Sequence, residues 1–380
     1  ALDYLFGAYY QTQQIESLRS ADVFGLSPEL RVIGRVDTEA LALFGNLTQH
    51  LTDRFAVELG GRWSEETKKL RTYTQSGSAP IGLLEFTVAD LVADGVLNPD
   101  GRTVDDFSYT GALIYQLTDT VNTHLRYSRG FKSGGFNVDY LTFSELIPLE
   151  FGDESVDHYE LGVKSQFFDR GLTANLALFY TNFDDLQVSQ FLTVEGIDVP
   201  YISITNAATA RTRGGELNLY WDKGGAFTLA SAFGFADATI TDFPAAEAPG
   251  GNWAGTRLEA PRWTYNVLAD YAAPIGSRTL DLIAEYYYQD ASGRSLGSRP
   301  IDITDDLSVF NLRARFNFSD AFSIMAWVEN VLDDRAVTNR HRQLSAQEFL
   351  VPALGPEVRT QVIGRRLPPR QWGITLRYEF

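Results

Sequence analysis

The segment YSRGFKSGGFN, from Tyr127 to Asn137, carries groups with which proteins bind phosphate: two cations, Arg129 and Lys132, beside a pair of glycines. A phosphate-binding P-loop has the order Gly-x-x-x-x-Gly-Lys-Ser/Thr between a strand and a helix. Here Lys132 and Ser133 precede the glycines, and no helical pattern follows. The order of the residues therefore excludes a P-loop, and the segment needs another interpretation.

Catalytic and metal-binding side chains are sparse in the rest of the chain. The sequence has no cysteine, which excludes disulfides, zinc–thiolate sites and thiol nucleophiles. The histidines lack metal-ligand spacing; they are His50, His124, His158 and His341. His158 beside Asp157 and Ser155 is the one arrangement that a hydrolase could use. Because such neighbours often arise by chance, we predict no enzyme, no metal site and no cofactor.

Acidic side chains dominate the charge of the chain. The formal net charge of −17 argues against nucleic acid as a partner, because nucleic-acid binding needs a basic face. Aspartates recur in pairs: Asp105 and Asp106, Asp184 and Asp185, Asp305 and Asp306, Asp333 and Asp334. Such pairs could hold divalent cations that bridge lipopolysaccharide. Solvated acids near a membrane boundary are the alternative, and we favour it.

The elements that must position these groups show an alternation of apolar and polar residues. In RQWGITLRYEF, at the end of the chain, Trp372, Ile374, Leu376, Tyr378 and Phe380 share one face. FAVELGGRW, WTYNVLADY and TLDLIAEYYY alternate in the same way. Soluble β-sandwiches also alternate, but long strands with aromatic residues near their ends are typical of outer-membrane barrels.

Membrane segments of other kinds are not predicted. No run of about eighteen apolar residues is present, so a transmembrane helix is not expected. The N-terminal ALDYLFGAYYQ resembles the inside of a strand and neither a signal peptide nor an anchor. We therefore predict an all-β protein, an antiparallel transmembrane β-barrel with about fourteen strands, as a single domain over residues 1–380.

The connections between the predicted strands alternate between short and long. The short ones lie at Asp53, Asp119, Asp169, Asp222, Pro274 and Asp320, where aspartate side chains can bond nearby amides. The long ones run roughly over residues 20–36, 75–102, 133–154, 241–260, 291–306 and 333–369. Outer-membrane barrels have short periplasmic turns and long extracellular loops. The alternation predicts that the loops around Phe136, Trp253 and Arg342 face the cell exterior.

Several stretches give the chain a family resemblance. YSRGFKSGGFN is similar to a motif of TonB-dependent outer-membrane receptors, as are YELGVKSQFFDRGLTANLALFYTNFDDLQ (Tyr159–Gln187), RGGELNLYW (Arg213–Trp221), EAPRWTYNVLADY (Glu259–Tyr271) and VENVLDDR (Val328–Arg335). The order and spacing of these stretches agree with the family over nearly the whole chain. The sequence departs from the pattern at Val331, Leu332 and Ala336, which affects a local packing contact.

The resemblance implies a barrel of about 22 strands, of which this chain would form the C-terminal part. It also implies an N-terminal plug domain and a TonB box that couples import of a scarce ligand, such as a ferric siderophore, to the TonB complex. Neither appears in this sequence. Tyr378 and Phe380 resemble the terminal signal that the barrel-assembly machinery recognises, and the outer surface would contact membrane lipid and lipopolysaccharide. A passive porin and, less favoured, a barrel enzyme are the alternatives.

The ligand-binding residues are expected at the long loops, because loops on a rigid scaffold usually carry recognition. The candidates are Arg129, Phe131, Lys132, Phe136, Asn137, Tyr140, Trp253, Arg294, Arg299, Arg340 and Arg342. For Arg129 and Lys132, pairing with acidic residues of the wall is the favoured interpretation, and Gly134 and Gly135 are interpreted as turn residues. Siderophore, oligosaccharide, cobalamin-like and aromatic ligands all remain open.

A wall of about fourteen strands would be incomplete if the family barrel has about 22. We therefore expect an open or loosely joined sheet between the first strand, Leu2 to Arg19, and the last, Gln371 to Phe380. Unpaired strand edges in lipid are unfavourable by several kcal/mol per polar group.

Overall fold

A computed structural model gives the fold and describes residues 1–21, 30–76, 78–79, 82–83, 86–95, 97–138, 149–194, 197–244, 251–293, 303–319, 321–343 and 361–379. The strands are β1 (Leu2–Ala21), β2 (Leu30–His50), β3 (Phe55–Ser76), β4 (Ser78–Ala79), β5 (Gly82–Leu83), β6 (Phe86–Thr87), β7 (Arg102–Thr118), β8 (Val121–Lys132), β9 (Gly135–Phe136), β10 (Glu150–Phe151), β11 (Glu154–Phe167), β12 (Leu172–Val194), β13 (Ile197–Asp222), β14 (Phe227–Asp242), β15 (Trp263–Ile275), β16 (Arg278–Gln289), β17 (Leu307–Asn317), β18 (Phe322–Glu329), β19 (Val337–Gln343), β20 (Gln361–Arg366) and β21 (Gln371–Tyr378). The helix α1 is Val88–Ala93. Within the described part of the chain, no helix combines the length and apolar character needed to cross a membrane.

One antiparallel sheet forms nearly the whole structure. Its order is β1-β2-β3-β7-β8-β11-β12-β13-β14-β15-β16-β17-β18-β21, and β6 adds a short strand beside β3. Each long strand thus pairs with the next long strand along the chain, because short connections favour neighbouring antiparallel strands. The prediction of an all-β fold with about fourteen antiparallel strands is confirmed.

The sheet has one apolar and one polar face. On β7, the exposed side chains of Phe107, Leu113 and Leu117 alternate with those of Ser108 and Ala112, which are more covered. We call the face of Leu113 the outward face and the face of Ala112 the inner face. Successive side chains of a strand lie on opposite faces, so each residue of a strand can be assigned to one of them.

Cross-strand pairing extends the outward apolar face over many strands. Leu113 pairs with Leu125, Leu125 with Leu161, and Leu161 with Leu178. Paired residues point to the same side of a sheet, so these leucines form one row. Aromatic side chains border the row: the ring centroids of Tyr127 and Tyr159 are 4.9 Å apart. This arrangement matches the apolar band and aromatic girdle of a transmembrane barrel.

The short turns lie at one end of the sheet, as predicted, but their side-chain bonds differ in part. Asp222 Oδ1 accepts a bond from the Gly224 amide at 2.8 Å, as expected for aspartate. At the first turn, however, Thr52 rather than Asp53 accepts the bonds, from the amides of Arg54 and Phe55. A threonine hydroxyl can form the same type of turn.

Two further details of the turns differ from the prediction. The interpretation placed a turn at Pro274, but Pro274 lies in β15 and the turn follows it at Gly276, whose φ is +62°. Glycine adopts this left-handed conformation without strain. Asp320 lies outside the described residues.

Several strands continue beyond their apolar stretch, which the sequence pattern did not show. Residues 20–36 were expected to form a long connection, yet β1 reaches Ala21 and β2 begins at Leu30. No outer connection was predicted between Asp169 and Asp222, where β12 and β13 form a long hairpin. Ladder hydrogen bonds satisfy the backbone whatever the side chains are, so a paired strand can extend past its lipid-facing residues.

The sheet ends at β1 on one side and at β21 on the other, and no pairing joins these two strands among the described residues. The expectation of an open sheet between the first and last strands is therefore confirmed. On β21, Trp372, Ile374, Leu376 and Tyr378 are all exposed on the outward face. Phe380 lies outside the described residues.

Candidate ligand vestibule at the outer rim

The motif that opened the sequence analysis leaves the sheet at the end with the long connections. After β8 ends at Lys132, residues 133–138 cross the inner face of the sheet, and we call this segment the rim strap. At one end of the strap, Lys68 Nζ on β3 donates to Ser133 Oγ and to the Gly134 carbonyl, both at 2.7 Å. At the other end, Asn137 bonds to β13 through Ile204. The strap thus bridges strands on both sides of β8.

Gly134 is required by close packing. A Cβ atom on this residue would lie 2.1 Å from the Phe151 carbonyl oxygen and 2.8 Å from Arg102 Nε. Its amide donates to Asp153 Oδ1 at 2.7 Å, and Arg102 Nη2 lies 2.7 Å from the same oxygen. The interpretation of Gly134 as a turn residue is therefore wrong: its φ is not left-handed, and the backbone and Arg102 leave no room for a side chain.

Asn137 acts as a substitute strand partner. Its Nδ2 donates to the Ile204 carbonyl at 3.1 Å, and its Oδ1 accepts from the Ile204 amide at 2.8 Å. The side chain is only 3% exposed. Both backbone polar groups of Ile204 are bonded in this way, which fixes the end of the strap to β13.

Phe136 is 8% exposed and belongs to an apolar cluster at the rim. This first rim cluster consists of Val32, Val36, Leu70, Tyr73, Leu91, Leu97, Phe136, Val138 and Leu149. Leu91 comes from α1, which begins with a capping box in which the Thr87 and Asp90 side chains bond each other's backbone. The structure therefore gives Phe136 and Asn137 packing and bonding roles, and ligand contact by them stays a prediction.

Two polar residues that the sequence analysis did not identify hold the strap and the neighbouring Gly152 in place: Gln187 bonds both, and Asn206 bonds Gly152. Gln187 Nε2 donates to the carbonyls of Lys132, Ser133 and Gly152. Asn206 Nδ2 donates to the Gly152 carbonyl at 2.9 Å. Gln187 is the last residue of one of the stretches that carry the family resemblance, so the sequence held an indication of its importance. Asn206 had no such signal.

Arg129 and Phe131 lie on the outward face, away from the strap, because each is an even number of residues from the outward-facing Leu125 on the same strand. Arg129 Nη1 pairs with Asp157 Oδ2 at 2.9 Å, and the Tyr127 hydroxyl donates to Asp157 Oδ1 at 2.6 Å. The favoured interpretation of Arg129, pairing with an acid of the wall, agrees with this geometry.

The possible catalytic arrangement is not assembled. Asp157 and Ser155 follow the outward face, whereas His158 lies on the inner face and its Nδ1 is 2.8 Å from Thr181 Oγ1. Neighbours in sequence thus point to opposite sides of the sheet.

Of the remaining ligand candidates, the structure describes the side chains of Trp253 and Lys132 only. Trp253 packs on a second rim cluster, which consists of Val188, Ala208, Ile240 and Phe243 with Leu186 and Leu258 at its border. The Lys132 side chain is exposed at the end of β8. Arg340 and Arg342 lie on β19, but their side chains fall outside the described residues, as do Tyr140, Arg294 and Arg299 as whole residues.

Ion pairs line the inner face below the rim. Arg126 Nη1 lies 3.2 Å from Glu58 Oε1, and His124 Nε2 lies 2.7 Å from Glu160 Oε1. Arg313 with Glu285 and Arg315 with Asp281 continue this pattern on β16 and β17. The described residues contain no group of three metal-ligating side chains suited to an ion. A polar inner face opposite an apolar outward face suits a water-filled or protein-filled lumen.

The aspartate pairs near the end of β18 bond the backbone. Asp334 accepts from the amides of Ser308 and Ala336, and Asp305 accepts from the amide of Val337. Asp333 lies in a turn outside the strands, where the Arg370 amide donates to it; this bond, aided by Arg335, lowers the pKa of Asp333 despite an opposing effect of burial. These bonds support a structural role for Asp305, Asp333 and Asp334.

Comparisons with known proteins agree with this architecture. The family model "TonB dependent receptor-like, beta-barrel" matches residues 1–331. The pesticin receptors of Yersinia pestis and Yersinia enterocolitica are 29% identical over 222 residues, which is 58% of this chain and 29% of each relative. The matched part of the chain therefore spans less than a third of the length of these curated relatives.

Solved structures show the same fold. The ferric yersiniabactin uptake receptor FyuA from Yersinia pestis has a TM-score of 0.75 at 19% identity, and the match covers 100% of this chain and 51% of that one. The siderophore receptor PiuA from Acinetobacter baumannii has a TM-score of 0.66 at 15% identity, with coverages of 99% and 53%. Because the family model covers most of the sequence, the chain belongs to the TonB-dependent receptor-like β-barrels, which are integral proteins of the bacterial outer membrane.

Proposed function

We propose that this chain forms the wall and outer rim of a receptor that imports a scarce ligand, such as a ferric siderophore, with energy supplied through TonB. The observation that carries the proposal is the two-faced wall, apolar outside and lined by ion pairs inside. FyuA is a ferric yersiniabactin uptake receptor and PiuA is a siderophore receptor, and these two relatives in fold support this class of ligand.

The proposal includes the partners that such a receptor needs. TonB would act through a region N-terminal to this chain, together with a plug domain, and the barrel-assembly machinery would recognise Tyr378 and Phe380. Membrane lipid and lipopolysaccharide would surround the outward face. The wall would be completed by further strands that pair with β1 and β21, because unpaired edges are unfavourable in lipid.

An uptake assay tests the transport function. Cells that express the full protein should accumulate radiolabelled iron from at least one member of a panel of ferric siderophores, and deletion of the energy-coupling protein should abolish the accumulation. Accumulation that persists after this deletion would reject energised import. Diffusion of small sugars without saturation would favour the porin alternative instead.

A labelling experiment tests the orientation. Tags inserted near Trp253 or Phe136 in the full protein should be labelled on intact cells, whereas tags at Asp119 should be labelled only after the outer membrane is opened. The reverse result would contradict the orientation without deciding the transported ligand.

Absence of enzymatic activity is also part of the proposal. The separation of His158 from Asp157 and Ser155 on opposite faces supports it. Hydrolysis of ester or peptide substrates by the purified protein, lost in His158→Ala, would contradict this part of the proposal.

A further inference from the structure

The outward face carries a positively charged patch at the outer end of β13 and β14. Arg213 donates from Nε and Nη2 to Asp237 Oδ2, at 3.2 and 3.1 Å. A second arginine, Arg262, lies with Nη2 3.9 Å from Asp237 Oδ1. Two guanidinium groups thus share one carboxylate, and the three groups together carry a net charge of +1.

Arg262 also lies against the aromatic girdle. Its Cζ is 5.3 Å from the centroid of the Phe235 ring, whose own centroid is 4.5 Å from that of Trp263. This contact positions the guanidinium group through its face and leaves its N–H edge available. Arg262 donates no hydrogen bond within 3.5 Å to any side chain in the described part of the chain. Its side chain is 45% exposed, and that of Arg213 is 55% exposed.

The next row of the sheet adds two more arginines. Thr239 pairs with Arg211 on one side and with Arg257 on the other, so both lie directly beyond the Arg213–Asp237 pair. The Nε atom of Arg211 is buried with no hydrogen-bond partner among the described residues. Glu259 is the acidic residue of the nearby connection, and it has a partner of its own. The patch therefore stays positive in a chain whose formal net charge is −17.

The height of the patch corresponds to the headgroup region of the membrane. Asp222 is the last residue of β13, at the end with the short turn, and Arg213 lies nine residues before it. At about 3.4 Å per residue this is roughly 30 Å along a tilted strand, which is similar to the apolar band of a barrel. Tyr180, the cross-strand partner of Arg213, belongs to the aromatic border. The arginines thus lie where the apolar surface ends.

We propose that Arg213 and Arg262 bind the phosphate group of a phosphorylated lipid headgroup in the outer leaflet. Guanidinium groups form paired, charge-assisted bonds with phosphate oxygens, and aromatic residues suit the acyl boundary just below. The inference rests on the proposed orientation, in which this end of the strands faces the exterior. It assigns lipid contact to arginines, and not to cations held by the aspartate pairs.

The opposite end of the sheet provides a matched control. Arg278 also lies on an aromatic ring of the same face, with its Cζ 5.8 Å from the Phe318 centroid, but it is next to the short turn after Ile275. Arg278→Gln therefore removes one exposed, ring-stacked arginine outside the patch.

The experiment measures binding of bis-phosphorylated lipid A to the full protein in detergent by native mass spectrometry. Arg262→Gln should weaken binding about threefold and the Arg213→Gln/Arg262→Gln double variant about tenfold, while Arg278→Gln should leave it unchanged. Arg262→Gln is the decisive single variant, because Arg262 donates no hydrogen bond to a described side chain and its loss should not disturb folding.

Two further probes separate the sources of the signal. Dephosphorylated lipid A should bind at least about tenfold more weakly to the wild type. The arginine substitutions should leave its affinity unchanged. Equal binding of both lipids, or a double variant that binds like the wild type, would overturn the proposal. Inorganic phosphate that displaces lipid A at equal concentration would assign the patch to a free anion instead. Because no transport is measured, failure here leaves the siderophore proposal intact.

Discussion

The rim strap and the loop that carries Trp253 both cover the inner face near the outer rim, but they are held in different ways. The strap bonds to β3 through Lys68 and to β13 through Asn137, strands that are far apart in the sheet. The Trp253 loop is held mainly by its own hairpin: Asn252 Oδ1 accepts from the amides of Phe243 and Ala254, and its Nδ2 donates to Asp242.

The difference suggests a division of roles. Bonds between distant strands fix the curvature of the wall, so changes in the strap should disturb the whole outer rim. Bonds within one hairpin leave the wall unaffected when the loop changes. Loops of the second kind can vary with the ligand, because recognition residues usually lie on loops supported by a rigid scaffold.

The largest effect is expected for Phe136→Ala. Removing a buried ring from the first rim cluster should lower the free energy of unfolding by about 4 kcal/mol, because the cavity is surrounded on several sides. Urea unfolding of the full protein in lipid vesicles measures this change. Phe168→Ala, at an exposed short turn, serves as the control and should change the midpoint little.

Gly134→Val should be almost as unfavourable, by about 3 kcal/mol, because the new side chain meets the Phe151 carbonyl. The strap would be displaced, and trypsin should then cleave near Lys132 on intact cells. Gly225→Val is the matched control, since no atom lies within 4 Å of a Cβ built at Gly225 and its φ is not left-handed. Equal stability of both variants would show that the strap adapts.

Asn137→Ala should lower the free energy of unfolding by about 2 kcal/mol, because the Ile204 amide loses its acceptor and the Ile204 carbonyl keeps only the long bond from Ser203 Oγ at 3.4 Å. Asn137→Asp keeps an acceptor for the Ile204 amide but loses the donor to its carbonyl. Hydrogen exchange at Ile204 should rise in both variants and more in Asn137→Ala. Unchanged exchange would contradict the role of Asn137 in joining the strap to β13.

Trp253→Ala should lower the free energy of unfolding by only about 1 kcal/mol, because this side chain is half-buried at the edge of the second rim cluster. If the Trp253 loop contributes to the vestibule, the same variant should reduce siderophore uptake more than Phe168→Ala does. A stability loss as large as that of Phe136→Ala would remove the distinction between the two regions.

The smallest effect concerns pH. The folded-state pKa of Asp333 is lowered. The ionised carboxylate therefore stabilises the fold fully above the ordinary aspartate pKa, and this stabilisation is lost as the pH falls through the folded-state pKa. The wild type should therefore lose more stability between pH 5 and about pH 2 than Asp333→Asn does. Parallel unfolding curves at both pH values would contradict the link.

Local sequence patterns predicted the wall well. The alternation in RQWGITLRYEF assigned Trp372 and Leu376 to the outward face, and the same period also applies to Leu125, Tyr127, Arg129 and Phe131. Applied to Arg129 and Phe131, this alternation would have shown that both side chains face outward and lie apart from the strap. Strand ends were predicted less well, because ladder bonds continue where the apolar pattern stops.

By itself, the sequence determined the fold class, the approximate number of strands, the two faces of the wall and the exclusion of a P-loop, since each depends on residues close together in the chain. Only the tertiary structure decided that Lys68 and Ile204 hold the strap, that Gly134 packs against Phe151, and that Arg213 and Arg262 share Asp237. These contacts join residues far apart in sequence. They depend on the register and curvature of the whole sheet, which no local pattern of side chains encodes.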